Sequence, residues 1–142
     1  MTARALTGLL VALSLASPAQ PQIMMDVPAP DVMIGKDGPK LDACGAIGVV
    51  IVPEANATSS SEMADVFNST QSWRNRLDRL PAGRAVWLCD TKEEWMGIVY
   101  PDSAAGELGD CDVASPVPAP RVYRGPCRSG WILAARVQVV AG

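Results

Sequence analysis

The four cysteines are the reactive side chains whose number and spacing say most about the chemistry of this chain. They stand 45, 22 and 16 positions apart, in the order Cys44, Cys89, Cys111 and Cys127. Zinc sites built from thiolates use closely spaced Cys-x-x-Cys pairs, so these spacings disfavour zinc. An even number of cysteines in an exported chain indicates two disulfides. Three pairings are possible, and we favour Cys44–Cys89 with Cys111–Cys127; we expect no metal and no cofactor.

Histidine is absent from the 142 residues. A Ser–His–Asp triad, a Cys–His pair and a histidine-bound zinc are therefore excluded within this chain. The carboxylates at 93–94 and at Asp110 and Asp112 could work as acid and base only in a shared cleft, and both pairs are typical of solvated turns. The formal charge of −3 provides no basic face for nucleic acid. We expect a protein that is not an enzyme and does not bind nucleic acid.

The first 19 residues have the pattern of a secretory signal peptide. An apolar run at 5–16 follows Arg4, and Ser17-Pro18-Ala19 supplies the small residues that precede a cleavage site. The alternative is a membrane anchor, but the run of 12 residues is shorter than the ~20 that span a bilayer. We expect an exported protein, periplasmic or secreted, with no membrane span once the signal is removed.

Residues 20–40 are predicted to be a linker, because they hold four prolines and two glycines without a clear hydrophobic period. In the alternative, the apolar pieces Ile23-Met24-Met25 and Val32-Met33-Ile34 pack on the domain. The folded domain is then 41–142, with a long irregular insertion at 101–128.

Short β-type segments separated by Gly/Pro turns predict a small all-β barrel. The strands are expected at 48–52, 85–89, Trp95–Tyr100 and 130–140, with 85–100 forming a hairpin. Alternation directs Val86 and Leu88 inward and buries the Met96–Ile98 face. The Ser59-x-x-Glu62 pattern leaves a short helix there as a minor possibility.

The order of several motifs resembles the bacterial SH3-like (SH3b) domain over roughly residues 44–141. That family has a leucine-centred strand, a turn with glycine, a Val-x-Val-type strand, a short turn before tryptophan, and a closing Gly-Trp-Val. The matching residues here are Leu80, Gly83, Val86-Trp87-Leu88, Trp95 and Gly130-Trp131-Ile132. The segments 42–44, 87–90 and 123–131 look like a four-cysteine subgroup of small exported bacterial SH3 proteins.

Two departures from the family concern the ligand groove. Residues 66–70 (Val-Phe-Asn-Ser-Thr) replace the family's Val-Arg-x-Gly-Pro motif, and the 101–128 insertion replaces a short hairpin loop.

The resemblance implies a non-catalytic binding module for a peptide, a peptidoglycan fragment or an envelope protein. The residues expected to contact the ligand are the aromatic side chains Trp73, Trp95, Tyr123 and Trp131. Packing in the core is the alternative for Trp95 and Trp131, and folding back onto the barrel is the alternative for Trp73. The second hypothesis is a structural or inhibitory envelope protein that acts through its disulfide-held insertion.

Overall fold

A computed structural model describes residues 28–52, 63–71, 75–103 and 106–142. The predicted signal peptide, the first part of the linker, the Ser59–Glu62 motif and Trp73 lie outside these ranges. In the described ranges the chain forms nine strands and one turn of 3₁₀ helix at Ala134–Arg136. The strands are β1 Met33–Ile34, β2 Ala46–Val50, β3 Met63–Phe67, β4 Arg76–Pro81, β5 Ala85–Lys92, β6 Trp95–Tyr100, β7 Arg121–Val122, β8 Arg128–Leu133 and β9 Val137–Ala141.

The protein is all-β, with two antiparallel sheets. The larger sheet has seven strands in the order β4-β3-β8-β6-β5-β2-β9, and β1 pairs with β7 in a two-stranded sheet. The predicted closed barrel is wrong, because no ladder in the described residues joins β4 to β9. The β3–β4 hairpin meets β8 through the single pair Phe67 and Trp131, which is too short a ladder to carry the stagger that closure requires.

The central hairpin agrees with its prediction. Strand β6 has the predicted bounds, and β5 runs on to Lys92 before a tight turn at Glu93 and Glu94. The segment that follows the Ser59–Glu62 motif is strand β3 and not a helix. Its buried residues Ala64 and Val66 recur every second position, which is the period of a strand packed on one face.

One face of the large sheet packs into the main core. Val86 and Leu88 point into it, as does the predicted face of β6 that carries Met96 and Ile98. The other members are Val50, Ala64, Val66, Leu80, Tyr100 and Ile132.

The opposite face of the sheet is also covered, which the linker prediction did not anticipate. Val32 and Ile34 are 0% and 1% exposed, and Met33–Ile34 forms β1 against β7 of the insertion. Val32-Met33-Ile34 therefore packs on the domain, as the alternative held, whereas its other piece, 23–25, lies outside the described residues. Val113, Val117 and Tyr123 of the insertion extend this second layer over Val99.

Two disulfides fasten the second layer, in the pairing that the sequence favours. Cys44 is bonded to Cys89 of β5, and Cys111 is bonded to Cys127 within the insertion. Gly35 donates its backbone N–H to the carbonyl of Ala43 at 2.7 Å, beside the first bridge. The bridge therefore holds residues 34–44 against β5.

Candidate functional site

Three aromatic side chains meet on the covered face of the sheet. Phe67 lies opposite Trp131 in the β3–β8 pair, and Trp131 lies opposite Gly97 in the β6–β8 pair. Trp95 stands two residues before Gly97, so it projects from the same face as Trp131, diagonally across the ladder. The rings of Phe67 and Trp95 pack edge to face with centroids 5.6 Å apart. We call the surface formed by Phe67, Trp95 and Trp131 the aromatic groove.

Because Gly97 has no side chain, Val32 and the ring of Trp131 can pack closely over the backbone of β6. A Cβ at Gly97 would lie 2.8 Å from the Cβ of Asp90, 3.0 Å from Val32 and 3.2 Å from the ring of Trp131. Contacts of that length force neighbours to shift, so any larger residue would separate the groove from its cover.

Residues 28–34, which we call the covering segment, lie over the aromatic groove. Val32 is fully buried in one cluster with Phe67, Trp95 and Trp131. The carboxylate of Asp31 accepts the indole Nε1–H of Trp131 at 3.0 Å and a bond from Lys92 at 2.7 Å. The ammonium of Lys92 also lies 4.5 Å from the centroid of the Trp131 ring, within cation–π range.

Three backbone carbonyls of the covering segment accept hydrogen bonds, two from side chains and one from a backbone N–H. The carbonyls of Pro28, Pro30 and Val32 are two residues apart and each accepts a hydrogen bond. The donors are Asn68 Nδ2 at 3.2 Å, the Arg124 guanidinium at 3.1 Å and the backbone N–H of Tyr123 at 2.8 Å. A two-residue period is that of an extended chain. Asn68, Arg124 and Tyr123, which lie outside the three groove residues, therefore hold an extended segment over the groove by its carbonyls.

A β-bulge brings two charged side chains of β5 to this face. The register of β5 against β6 shifts between Leu88 and Asp90, so Asp90 pairs with Gly97 and Lys92 with Trp95. Without the extra residue, alternation from Leu88 would turn Asp90 into the main core. Asp90 is buried, and it accepts the N–H of Met33 at 3.0 Å and a bond from Lys36.

Of the three predicted ligand contacts among the described residues, the structure brings together Trp95 and Trp131. Trp95 and Trp131 share the aromatic groove, but both are buried under the covering segment. Tyr123 is buried elsewhere, with its hydroxyl donating to the carbonyl of Cys111 at 2.9 Å and accepting the N–H of Cys127 at 3.0 Å. These three residues therefore do not form an exposed aromatic platform, because segments from outside the sheet cover them. Trp73 lies outside the described residues.

A second depression, of about 420 Å³, lies beside Tyr100. Its charged groups are bonded to one another, to the backbone or, for Arg79, to Asp65 outside the depression. Arg128 pairs with Asp78 at 2.8 Å and with Asp102 at 3.5 Å. Arg84 donates to the carbonyls of Pro101, at 2.6 Å, and Ser103. These charges stabilise the base of the insertion and leave the aromatic groove as the better candidate site.

Both tyrosines of the chain should resist ionisation in alkali. Burial raises the pKa of Tyr100, with the nearby carboxylate of Asp78 adding to the effect, and burial also raises the pKa of Tyr123. Because both pKa values are raised by folding, the neutral phenols stabilise the fold fully below the unfolded pKa of about 10. This stabilisation is lost as the pH rises from there through the folded-state pKa values. We expect less than half of the tyrosine to be ionised at pH 10 in the folded protein, and the remaining tyrosinate absorbance to appear together with unfolding at higher pH. Half-ionisation at pH 10 without loss of ellipticity would contradict this.

The covering segment should loosen in acid through Asp31. The hydrogen bond from Lys92 lowers the pKa of Asp31 below 3.8, and the Trp131 N–H bond adds to this against the opposing effect of desolvation. Because the pKa of Asp31 is lower in the folded protein, its carboxylate stabilises the fold above the pKa of the unfolded chain. This stabilisation is lost as the pH falls through the folded-state pKa. We expect the indole N–H resonance of Trp131 to shift with a midpoint below 3.8, and Asp31→Asn to abolish that step. A midpoint at or above 3.8 would refute the assignment.

Neither a metal site nor a membrane-spanning helix is found in the part of the chain that the structure describes. No group of three or more Cys, Asp or Glu side chains lies close enough there to hold a metal ion. No helix in those ranges is long and apolar enough to cross a membrane.

Comparisons with protein-family models, with curated proteins and with solved structures find no match to this chain. The assignment of a function therefore depends on the geometry of the aromatic groove and on the sequence resemblance.

Proposed function

We propose that this chain is a non-catalytic, exported, SH3b-like binding module that recognises an extended peptide, a peptidoglycan fragment or an envelope protein through its aromatic groove. One observation carries the proposal. The groove already packs on the buried Val32 of an extended stretch of chain, and residues around it hold that stretch by hydrogen bonds to three carbonyls and by one ion pair. A surface with this complementarity suits an extended ligand.

The placement of the SH3b-like motifs supports the family part of the proposal. Leu80 lies in β4, Val86-Trp87-Leu88 lies in β5, Trp95 opens β6, and Gly130-Trp131-Ile132 lies in β8. Gly83 stands in the β4–β5 turn with a φ of 88°, a conformation that favours glycine. The motifs thus lie on strands of the large sheet or on the turn between two of them, although the sheet is open.

The loop that departs from the family pattern contributes to the groove. Phe67 stands where the family carries arginine, and Asn68 stands at the variable position that follows it. Here Phe67 packs on Trp95, and Asn68 binds the carbonyl of Pro28. We therefore infer a ligand preference set by this chain's own residues, and not one inherited from the missing motif.

The disulfides support export. Two bridges and no free cysteine in the described ranges suit an oxidising compartment. The signal peptide at 1–19 would deliver the chain to the periplasm or the medium.

Sedimentation with purified peptidoglycan tests the wall version of the proposal. We expect the full chain to be retained at low salt, and Lys92→Ala to reduce retention. Lys40→Ala removes the same charge from an exposed position outside the groove and should be retained like the unaltered protein. If the full chain is not retained, the proposal that it binds peptidoglycan is wrong. If both variants are retained equally, the binding site lies outside the groove.

The alternative is a structural or inhibitory envelope protein that uses the insertion, and one observation favours it. The described residues of the 103–110 loop are mostly exposed, and the loop is fixed by the Trp87 indole N–H donating to the Gly109 carbonyl at 3.0 Å. Deleting 103–110 separates the two readings, because loss of partner binding with the sheet intact favours the insertion. Unchanged binding favours the groove.

A further inference from the structure

Asn68 is buried at the end of the aromatic groove, and only half of its amide is used. It is 5% exposed, and its Nδ2 donates to the carbonyl of Pro28 at 3.2 Å. Its Oδ1 is buried and has no hydrogen-bond donor among the described residues. A buried acceptor without a donor is disfavoured, so this atom points to a missing partner.

The identity of residue 28 explains the missing donor. The N–H and the C=O of an extended residue project to the same side, so a primary amide can bond to both. Proline has no N–H. Pro28 therefore offers Asn68 a carbonyl and no donor, and any other amino acid at this position would offer both.

Residues 28–32 are held by contacts that a peptide of matching sequence can also make: hydrogen bonds to carbonyls and to Asp31, one ion pair and one buried side chain. Pro28 and Ala29 are exposed. In the Asp31–Lys92 ion pair, the side chain of Asp31 is 61% exposed and that of Lys92 is 41% exposed. Ion pairs between exposed side chains contribute little to stability. Val32 is the buried anchor of this part, whereas the chain after it is fixed by β1 and by the Cys44–Cys89 bridge. Residues 28–32 can thus leave the groove while the rest of the layer stays in place.

We propose that the aromatic groove binds an extended peptide of a partner protein and that residues 28–32 are its intramolecular competitor. This inference rests on the proposed function and specifies its ligand. The ligand carries aspartate followed by a β-branched aliphatic residue, which take the places of Asp31 and Val32 against Lys92 and the aromatic rings. Three positions before the aspartate, the ligand carries a residue other than proline. The N–H of that residue donates to Oδ1 of Asn68, and its C=O accepts from Nδ2 of Asn68.

Competition by the tethered segment should make the unaltered chain bind such a peptide weakly. A short tether gives an effective concentration in the millimolar range, roughly, which a free peptide must overcome. Loosening the tethered segment should therefore raise the affinity for added peptide without any change in the groove itself.

The experiment is fluorescence anisotropy of labelled peptides against the full chain and against Val32→Ser. The peptides are acetylated at the N-terminus, so that a first proline has no N–H, and labelled at the C-terminus. They are Ala-Ala-Pro-Asp-Val-Met-Ile, the same peptide with proline first, and the same peptide with asparagine for aspartate. We expect Val32→Ser to bind the first peptide at least about tenfold more tightly than the unaltered chain does. We expect the proline and asparagine peptides to bind about fivefold more weakly than the first. In Val32→Ser with Asn68→Ala, the difference between the alanine and proline peptides should vanish.

Circular dichroism confirms that each variant is folded, and Asp31→Ala, which keeps Val32, serves if Val32→Ser does not fold. Failure of every peptide to bind a folded, loosened variant would overturn the inference. Equal affinities for the alanine and proline peptides would also overturn it. A dimer in light scattering without peptide would assign the groove to a second copy of the chain and overturn the partner version. Retention on peptidoglycan without peptide binding would remove this inference alone, and loss of both would remove the proposed function too.

Discussion

Replacing Trp131 by alanine should lower the free energy of unfolding by about 3–5 kcal/mol. The side chain is 0% exposed and lies between the β6 backbone at Gly97 and the covering segment. Its removal leaves a cavity, and the Asp31 carboxylate loses the indole donor at 3.0 Å. Small domains have total stabilities of about 5–15 kcal/mol, so this variant should be close to unfolding at body temperature. Urea denaturation followed by far-ultraviolet circular dichroism measures the effect.

The variant Trp131→Phe separates packing from the hydrogen bond. It keeps an aromatic ring in the groove but removes the N–H that Asp31 accepts. We expect a smaller loss, because a single hydrogen bond contributes about 0.5–1.5 kcal/mol and the smaller ring leaves only part of the cavity. A loss below 1 kcal/mol for the alanine variant, roughly, would mean that Trp131 is not enclosed between the sheet and the covering segment.

The elements predicted well are those specified by local sequence. In β5 and β6 the apolar residues alternate and a short polar turn separates the strands, so the hairpin and its core face follow from positions that are neighbours in the chain. Val86, Leu88 and Ile98 are buried where alternation places them. The cysteine pairing was likewise limited to three possibilities by number alone.

The covered second face was harder to predict, although one sign of it is present. Strand β6 reads Trp-Met-Gly-Ile-Val-Tyr, with no charged residue on either face, and an unbroken apolar run is typical of a strand buried on both sides. The element that covers it shows no such sign. Residues 28–34 contain two prolines and no period, and their burial depends on Trp95, Tyr123 and Trp131, more than sixty positions away.

The candidate site was predicted by residue type and not by exposure. Trp95 and Trp131 belong to it, but their contacts are with the chain itself because the covering segment lies on them. Asp90 and Lys92 were missed because their direction depends on the bulge after Leu88. Alternation alone turns both residues toward the core. A bulge depends on the register of the partner strand, which single-strand patterns do not contain.

Removing the Cys44–Cys89 bridge by Cys44→Ser with Cys89→Ser should cost about 4 kcal/mol, and removing Cys111–Cys127 in the same way about 3 kcal/mol. The order follows from the loops that the bridges close, with sequence separations of 45 and 16. A longer loop restricts the unfolded chain more. The first bridge also joins the layer that contains Ile34 to β5, so its loss should act on the groove as well as on the global stability.

Urea denaturation of the two double variants gives the ranking, and hydrogen exchange locates the effect. We expect the amide of Gly35, which donates to the Ala43 carbonyl, to lose more protection without Cys44–Cys89 than without Cys111–Cys127. We expect the Ile98 amide, in a central strand, to follow global unfolding in both variants. An equal loss of Gly35 protection in the two variants would show that the first bridge stabilises only through the unfolded chain. The hold on residues 34–44 would then come from β1 and its pairing with β7, and the bridge would have no separate influence on how readily residues 28–32 leave the groove.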